Sequence, residues 1–492
     1  MTIYGRFVSL CTFKKDYNFD ITSYQKQIEK ELEYKYDIFV YSFSCDGEKV
    51  SLRNNKTIIV NPNTALELRA KSYLAFFKKV VELFDLSLNI DIGCLLDDLA
   101  HHKNDQDINI SLFTFQKKSS QGFMLLPDLD FIVNNFFCGQ EYFDDKDIEN
   151  KLNKGLFVGS TTGISTHDDH NVGIINTIDN LKQGENLRFN LAMKYADSHI
   201  VDILLPNICQ CMDDNVSYFF RQHKFCGGDG VSWHRQFNNR YLISIDGNGA
   251  TCSRVAIALK SNSVLLKLSS EYELYYFRKL VPYEHYVPVF EHDDIDSLIE
   301  SVDEKPGLSE YISNASKEFY RSYLTRPNIY RYMAVLLNEF TARFNEQQYR
   351  DNIKKINSRT NPLFVIGHAS TCEDKWDFTG IAGNPLSQIE LESIAIDFLD
   401  ISFSSDNLSY QVIYSDFTRS NIVSGGVLTS HRDNHKSIVG VKVILSAFAK
   451  NSFNLKYRVF GIDSNASRWC CSGEDCFTAG FSHMNAIQIE TC

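Results

Sequence analysis

The chain has 492 residues, 43% of them hydrophobic and 23% charged, a balance that predicts two or three soluble globular domains and excludes disordered and collagen-like classes. Its formal net charge of −12, with no basic stripe, argues against nucleic acid as the main partner. A nucleotide ligand stays compatible with that charge, because backbone amides and one or two arginines suffice to hold a phosphate.

Met1 to Phe13 carries Arg6 within a short apolar run and has no small-residue cleavage pattern, so no signal peptide is expected. No apolar stretch has the length of a transmembrane helix. The 13 cysteines are an odd, scattered set, which fits reduced thiols and a cytoplasmic location. Cys209/Cys211 and Cys470/Cys471/Cys476 lack paired C-x-x-C spacing and read as buried thiols rather than zinc ligands.

In chain order, residues 1–150 alternate candidate strands and helices. Ile3–Leu10 and Ile38–Phe43 read as strands, Ile21–Leu32 and Ala65–Leu83 as helices, and Leu86–Ile92 and Ser111–Phe115 as further strands. This alternation predicts a Rossmann-like βαβ domain with a mainly parallel sheet. A second block, within residues 151–358, repeats the pattern. Leu156–Val158 is a short strand ending in Gly159-Ser160, and strand Tyr241–Ile245 runs into the turn Asp246-Gly247-Asn248-Gly249. A helix follows from about Thr251, then the buried strand Val264–Leu268, helix Glu271–Leu280, strand Tyr286–Val289 and helix Ile295–Val302. Ser316–Ile356 reads as a long polar helical stretch able to cross back over both domains.

From residue 359 onward the texture changes to short strands separated by Gly, Ser and Asn. Phe364, Tyr410 and Tyr457 open three segments, 46 and 47 positions apart. Each segment reaches a glycine turn at Gly380, Gly425 or Gly473, and closes on an apolar strand at Ser393–Ile396, Gly440–Val443 or Ala486–Ile489. Three copies predict a threefold all-β domain, a β-prism or β-trefoil, over 359–492. With Trp376 or Trp469 ahead of a glycine turn, the unit loosely resembles the clostridial hydrophobic-W repeats, which implies glycan or protein binding. The second copy has no Trp.

The turn after Tyr241–Ile245 is the most informative stretch. A strand, a glycine turn and a helix start aim backbone N–H groups and a positive helix end at a place where phosphate can sit. Cys252 occupies the third glycine position of a dinucleotide fingerprint, so that motif is not present. Arg254 stands in the first turn of the helix, where a cation is disfavoured unless it holds an anion. Ser253 beside it can donate a hydroxyl.

The stretch from Ser244 to Val289 resembles the nucleotide-binding core of glycosyltransferase family 90. Asp246-Gly247, Ser253-Arg254, Ser263, Glu271 and Leu280-x-Pro282-x-x-His285-Tyr286-Val287-Pro288-Val289 carry the likeness. Upstream, Lys154 to Ser160 is similar to the family's strand ending in Gly-Ser. Phe113 to Lys117 and Leu125 to Asp128 are similar to the segment lining its acceptor side. The resemblance covers roughly residues 85–305 and implies a GT-B fold, a UDP-sugar donor such as UDP-glucose or UDP-xylose, inversion at the anomeric carbon and no metal or other cofactor. Under it, Arg254 binds the diphosphate and stabilises departing UDP. Gly159, Ser160 and Thr161 supply amides and hydroxyls, Asp246, Gly247 and Ser253 complete the cradle, and Glu271 accepts from ribose hydroxyls. The base is Asp128, as the nearest carboxylate, with Asp130 second. Two departures stand out. Phe123 and Met124 occupy the positions where the animal enzymes place their catalytic aspartate, and Thr162 to His167 lacks their arginine, for which Arg188 is a substitute.

Plainer readings exist. Asp128-Leu129-Asp130 spells the D-x-D of metal-dependent GT-A enzymes, yet such triplets arise by chance in acidic chains. His167-Asp168-Asp169-His170 reads as a solvated loop, His285 as a packed core histidine, Trp376 and Trp469 as core, and Glu271 alone as an ordinary first-turn acid. The function expected is transfer of glucose or xylose to a glycan or lipid-linked glycan, as in lipopolysaccharide or capsule biosynthesis, with peripheral membrane contact open. The alternatives are a glycan-binding protein with an inactive transferase fold and a metal-dependent GT-A enzyme.

Overall fold

The structure, a computed structural model, describes residues 2–11, 38–46, 49–58, 64–98, 112–163, 173–250, 252–358, 363–369, 372–375, 380–398, 403, 405–429 and 436–491. The expected helix Ile21–Leu32, the loop His167–His170 and Trp376 lie outside these residues. The chain divides into two compact units, Met1–Phe136 with Asp144–Ile356, and Phe137–Phe143 with Asn357–Cys492.

The first unit holds two five-stranded sheets. One contains β1 (Ile38–Asp46), β2 (Lys49–Ile58), β3 (Ile90–Leu95), β4 (Phe113–Thr114) and β6 (Met124–Leu125) in the order β2-β1-β3-β4-β6. Its β1 pairs antiparallel with β2 and β3, while β3-β4-β6 run parallel. The sheet is therefore mixed rather than mainly parallel. The short strand β5 (Lys117–Lys118) lies outside it, paired with β11 (Tyr272–Glu273) of the second block.

The other sheet contains β7 (Leu152–Ser160), β8 (Val201–Asn207), β9 (Asn239–Ser244), β10 (Val264–Leu268) and β12 (Val287–Val289) in the order β12-β10-β9-β7-β8. All its pairings are parallel. Tyr241, Leu242 and Ile243 are fully buried, as a strand covered on both faces requires. The chain starts at β7, steps outward to β8 and returns on the other side to β9. That reversal opens a crevice at the carboxyl ends of β7 and β9.

Three local expectations fail for physical reasons. Ile3–Leu10 is not a strand: Ile3–Val8 is helical, Thr2 accepts from the Gly5 amide, and Tyr4, Phe7 and Leu10 are buried at a spacing of three. Glu271–Leu280 is not a helix either. Tyr272 and Glu273 spend their backbone on Lys118 and Lys117, and only Phe277–Lys279 turns, as a 3₁₀ segment. Ser316–Ile356 is no single polar helix but lies in three, Leu308–Tyr323, Arg326–Thr341 and Glu346–Asn357. Pro327 starts the second of these, whose residues are buried along nearly its whole length.

The second unit is built of three sheets around one apolar cluster that includes Val365, Ile396, Val412, Val441, Val459 and Ile487. Each sheet rests on one long antiparallel pair: β13 (Leu363–Ala369) with β16 (Ser393–Phe398), β17 (Leu408–Tyr414) with β19 (Ile438–Leu445), and β20 (Leu455–Gly461) with β23 (Met484–Thr491). Short strands β14 (Cys372–Lys375), β18 (Val423–Ser424) and β21 (Cys470–Cys471) pair within their own repeat. The repeats then exchange segments. From the first repeat, β15 (Ile381–Gly383) joins β23 of the third; from the third, β22 (Asp475–Phe477) joins β19 of the second. From the second, Gly426 and Thr429 donate at 2.9 Å to Ile396 and Ile394 on β16 of the first. The exchange closes a ring.

Candidate functional site

Two loops meet at the crevice, the end of β7 (Gly159-Ser160-Thr161) and the turn after β9 (Asp246 to Gly249). Gly249 has φ +137°, a conformation that side chains avoid. A Cβ on Gly247 would lie 2.7 Å from Arg188 Nη2 and from Thr162 Oγ1, so only glycine lets the turn approach β7. Arg188, buried in the helix Leu187–Lys194, clamps the two loops. Its Nε donates to Asp246 O (3.1 Å), its Nη2 to Ile245 O (2.7 Å), and its Nη1 to Ser160 O (3.2 Å) and Thr162 Oγ1 (2.8 Å).

Arg254 stands in the helix Cys252–Lys260 and is 5% exposed. Its Nη2 donates to Val158 O and to Gln236 Oε1 (2.9 Å), and the guanidinium lies 5.0 Å from the ring centres of both Phe157 and Trp233. Its Nη1 is buried without a hydrogen-bond partner. Burial pushes the Arg254 guanidinium down to about 9, with the neighbouring charge of Arg188 adding to the effect. Burial alone brings Arg188 to about 10, against the pull of Asp246. Both stay cationic at neutral pH, at a desolvation cost that structure alone does not need.

Lys267, near the end of β10, is a further buried cation, and sequence reasoning missed it. Its signal was a lysine inside the apolar run Val-Leu-Leu-Lys-Leu. It is 9% exposed, and burial lowers its pKa while Asp246 opposes. Register pairs Lys267 with Ser244 on β9, so the two side chains share one sheet face.

The other expected residues divide. Ser160 stays beside the clamp, its hydroxyl 2.9 Å from Thr162 Oγ1. Thr161 is already spent, its amide on Asn207 O and its hydroxyl on the backbone of Cys209. Ser253 directs its hydroxyl and amide to Asp130. Burial lifts the pKa of that carboxyl, Asp98 adds to the rise, and Ser253 and Arg69 oppose it. Asp128, 3% exposed, caps the short helix Leu129–Val133 by accepting from the Asp130 amide at 2.8 Å. Gln116 ties this side to the glycine turn through Asp98 O (2.7 Å) and Asn248 O (3.3 Å).

Glu271 is set apart. Its carboxylate is 63% exposed, 3.9 Å from Lys118, and its carbonyl accepts from the Ser119 amide beside the β5–β11 pair. His285 is a packing residue whose Nδ1 accepts from the Val281 amide. Among the described residues no group of three His, Cys, Asp or Glu is placed to hold a metal ion, and no helix is long and apolar enough to cross a membrane. In the second unit Trp469 lies under Lys456 and Arg458, 4.6 and 4.5 Å from its ring centre.

Residues 208–370 match the family described as Glycosyl transferase family 90. The chain is 30% identical over 145 residues to uncharacterized protein 179R of Invertebrate iridescent virus 6, covering 26% of this chain and 11% of that protein. It is 26% identical over 176 residues to protein O-glucosyltransferase 2 of Danio rerio, covering 34% of this chain and 33% of that one. The chain thus spans a third or less of the length of these relatives.

Proposed function

On the premise that residues 208–370 belong to glycosyl transferase family 90, we propose that this protein is an inverting, metal-independent glycosyltransferase that moves glucose or xylose from a UDP-sugar to a glycan hydroxyl. One observation carries the reading. At the crevice end of the parallel sheet the buried cations Arg188 and Lys267 both feel the buried carboxylate Asp246, and buried Arg254, within reach of the Arg188 charge, keeps an unpartnered Nη1. That surplus of positive charge suits a diphosphate.

In this reading Arg254 and the amides at the start of its helix hold the diphosphate and stabilise the charge that grows on it. Arg188 is a positioning residue that keeps Ser160 and the Asp246-Gly247 turn in place. Exposed Glu271 accepts from ribose hydroxyls. The base comes from the Asp128–Asp130 pair. Asp130 has its pKa raised, chiefly by burial, which makes it the stronger base of the two, while Asp128 has one oxygen committed to its helix. The acceptor oxygen bonds to the anomeric carbon as the bond from that carbon to the phosphate oxygen breaks. The hydroxyl proton passes to the carboxylate, and UDP leaves with the electron pair.

We propose further that the two sheets of the first unit are the halves of a GT-B enzyme, and that the ring of exchanged segments is a β-prism-like module that binds an acceptor glycan or a protein partner. Lipid-linked surface glycans and a cytoplasmic, peripherally membrane-associated enzyme belong to the same proposal. The second reading, a glycan-binding protein with a silent transferase fold, draws on Asp128 and Asp130 both being engaged as hydrogen-bond acceptors.

The test is UDP release from a panel of UDP-sugars on the purified chain, with and without a chelator. Chelator-resistant turnover of UDP-glucose or UDP-xylose is expected. No turnover with intact UDP binding would favour the silent fold, and turnover abolished by chelation would favour a metal-dependent enzyme.

A further inference from the structure

Among the described residues of the first unit three lysines, Lys117, Lys151 and Lys267, are buried, and they are treated differently. Lys151 sits 2.6 Å from Asp144 Oδ2. Lys117 donates to Gln121 O at 3.0 Å and to Phe123 O at 3.1 Å. Lys267 has only a long 3.4 Å contact to the carbonyl of its own neighbour Leu268, with its ammonium 4.7 Å from the centre of the Phe277 ring. Among the described residues no carboxylate lies within ion-pair distance of it. The Ser244 hydroxyl, on the same sheet face, is buried and has no partner either.

Burying an ammonium without a hydrogen-bonded anion is destabilising, and an apolar side chain of similar volume would serve folding better. The position therefore answers to something that arrives. Lys267 is the penultimate residue of β10, the strand next to β9, whose exit carries the glycine turn, and the one carboxylate it feels, Asp246, is shared with Arg188. Counting Arg188, Arg254 and Lys267 against Asp246 leaves about two positive charges, the charge that the diphosphate of a nucleotide-sugar brings with opposite sign.

We propose that Lys267 is a donor-binding residue whose ammonium, with Arg254, holds the diphosphate of the sugar nucleotide. This rests on the transferase reading above and adds to it a second cation, on a different strand from the glycine turn. Ser244 is the neighbouring hydroxyl available to the same ligand.

The experiment is calorimetric titration of UDP into the wild-type chain, Lys267→Met and Lys267→Arg, with the melting temperature of each ligand-free protein. Lys267→Gln stands in should the Met variant fail to fold. Loss of a charged hydrogen bond predicts UDP affinity about tenfold or more weaker in Lys267→Met, with Lys267→Arg within about threefold of wild type. The ligand-free Lys267→Met should melt no lower than wild type, since a buried charge is gone. Wild-type UDP affinity in Lys267→Met would overturn the proposal, as would equal losses of affinity and melting temperature in both variants, the mark of a structural lysine. A wild-type chain that binds no UDP would instead overturn the transferase reading itself.

Discussion

The interior of the threefold unit and the crevice end of the parallel sheet are both buried, but they are built by opposite rules. Among the described residues the threefold unit buries no lysine or arginine; Tyr410, Tyr457 and Asp397 find partners, while Asn485 Oδ1 has none. The Tyr410 hydroxyl donates to Val427 O, Tyr457 accepts from the Val443 amide at 3.1 Å, and Asp397 accepts from the Phe398 amide at 2.8 Å. The crevice end buries Arg188, Arg254 and Lys267 and leaves Arg254 Nη1 and Ser244 Oγ without partners. A core that has only to be stable does without buried unpaired cations, because each carries a desolvation cost.

The largest effects should separate the two. Arg254→Met is expected to cut UDP-sugar turnover by about 10²- to 10³-fold, the scale for losing one stabilising donor, without lowering the melting temperature. A fall in melting temperature that accounts for the lost activity would erase the contrast. In the threefold unit the reverse should hold. Ile487→Ala, fully buried in its cluster, should cost about 2–5 kcal/mol of that unit's stability, measured by denaturant unfolding, with UDP affinity unchanged.

Asp130 gives a subtler test through pH. Its pKa is raised in the folded chain, chiefly by burial, so the folded state keeps this proton to higher pH than the unfolded state does. The stability it contributes is therefore present at low pH and lost as pH rises through the raised value. Asp130→Asn removes that loss, so its melting temperature should gain on wild type as pH rises from about 4 through the raised value. A constant gap would mean that Asp130 does not titrate as its burial requires. The smallest effect belongs to exposed Glu271. Glu271→Gln should weaken UDP by about two- to tenfold if it meets the ribose, and identical affinity would remove it from the site.

What was legible in the sequence was what local chemistry fixes. The strand Val264–Leu268 and the turn Asp246 to Gly249 stand where periodicity and glycine placed them, and Arg254 betrayed itself as a cation at a helix start. The threefold period was legible because each repeat closes on its own strand. Long-range pairing was not. Nothing near Ile381 says that it will pair with Gln488, and nothing near Glu271 says that its neighbours will pair with Lys117 and Lys118. The aromatic run Tyr272-Glu-Leu-Tyr-Tyr reads as helical until that pairing takes its backbone. Arg188 was visible as a substitute for a missing arginine, but its clamp needs carbonyls from β7 and β9 that only the folded sheet brings together.

If the buried cations at the crevice wait for a diphosphate, UDP titration of wild type against Arg254→Met will show it. Saturable binding to wild type is expected, with a loss of about tenfold to a hundredfold in the variant and both ligand-free proteins equally folded. Equal affinity in the two, or no binding to wild type, would contradict it.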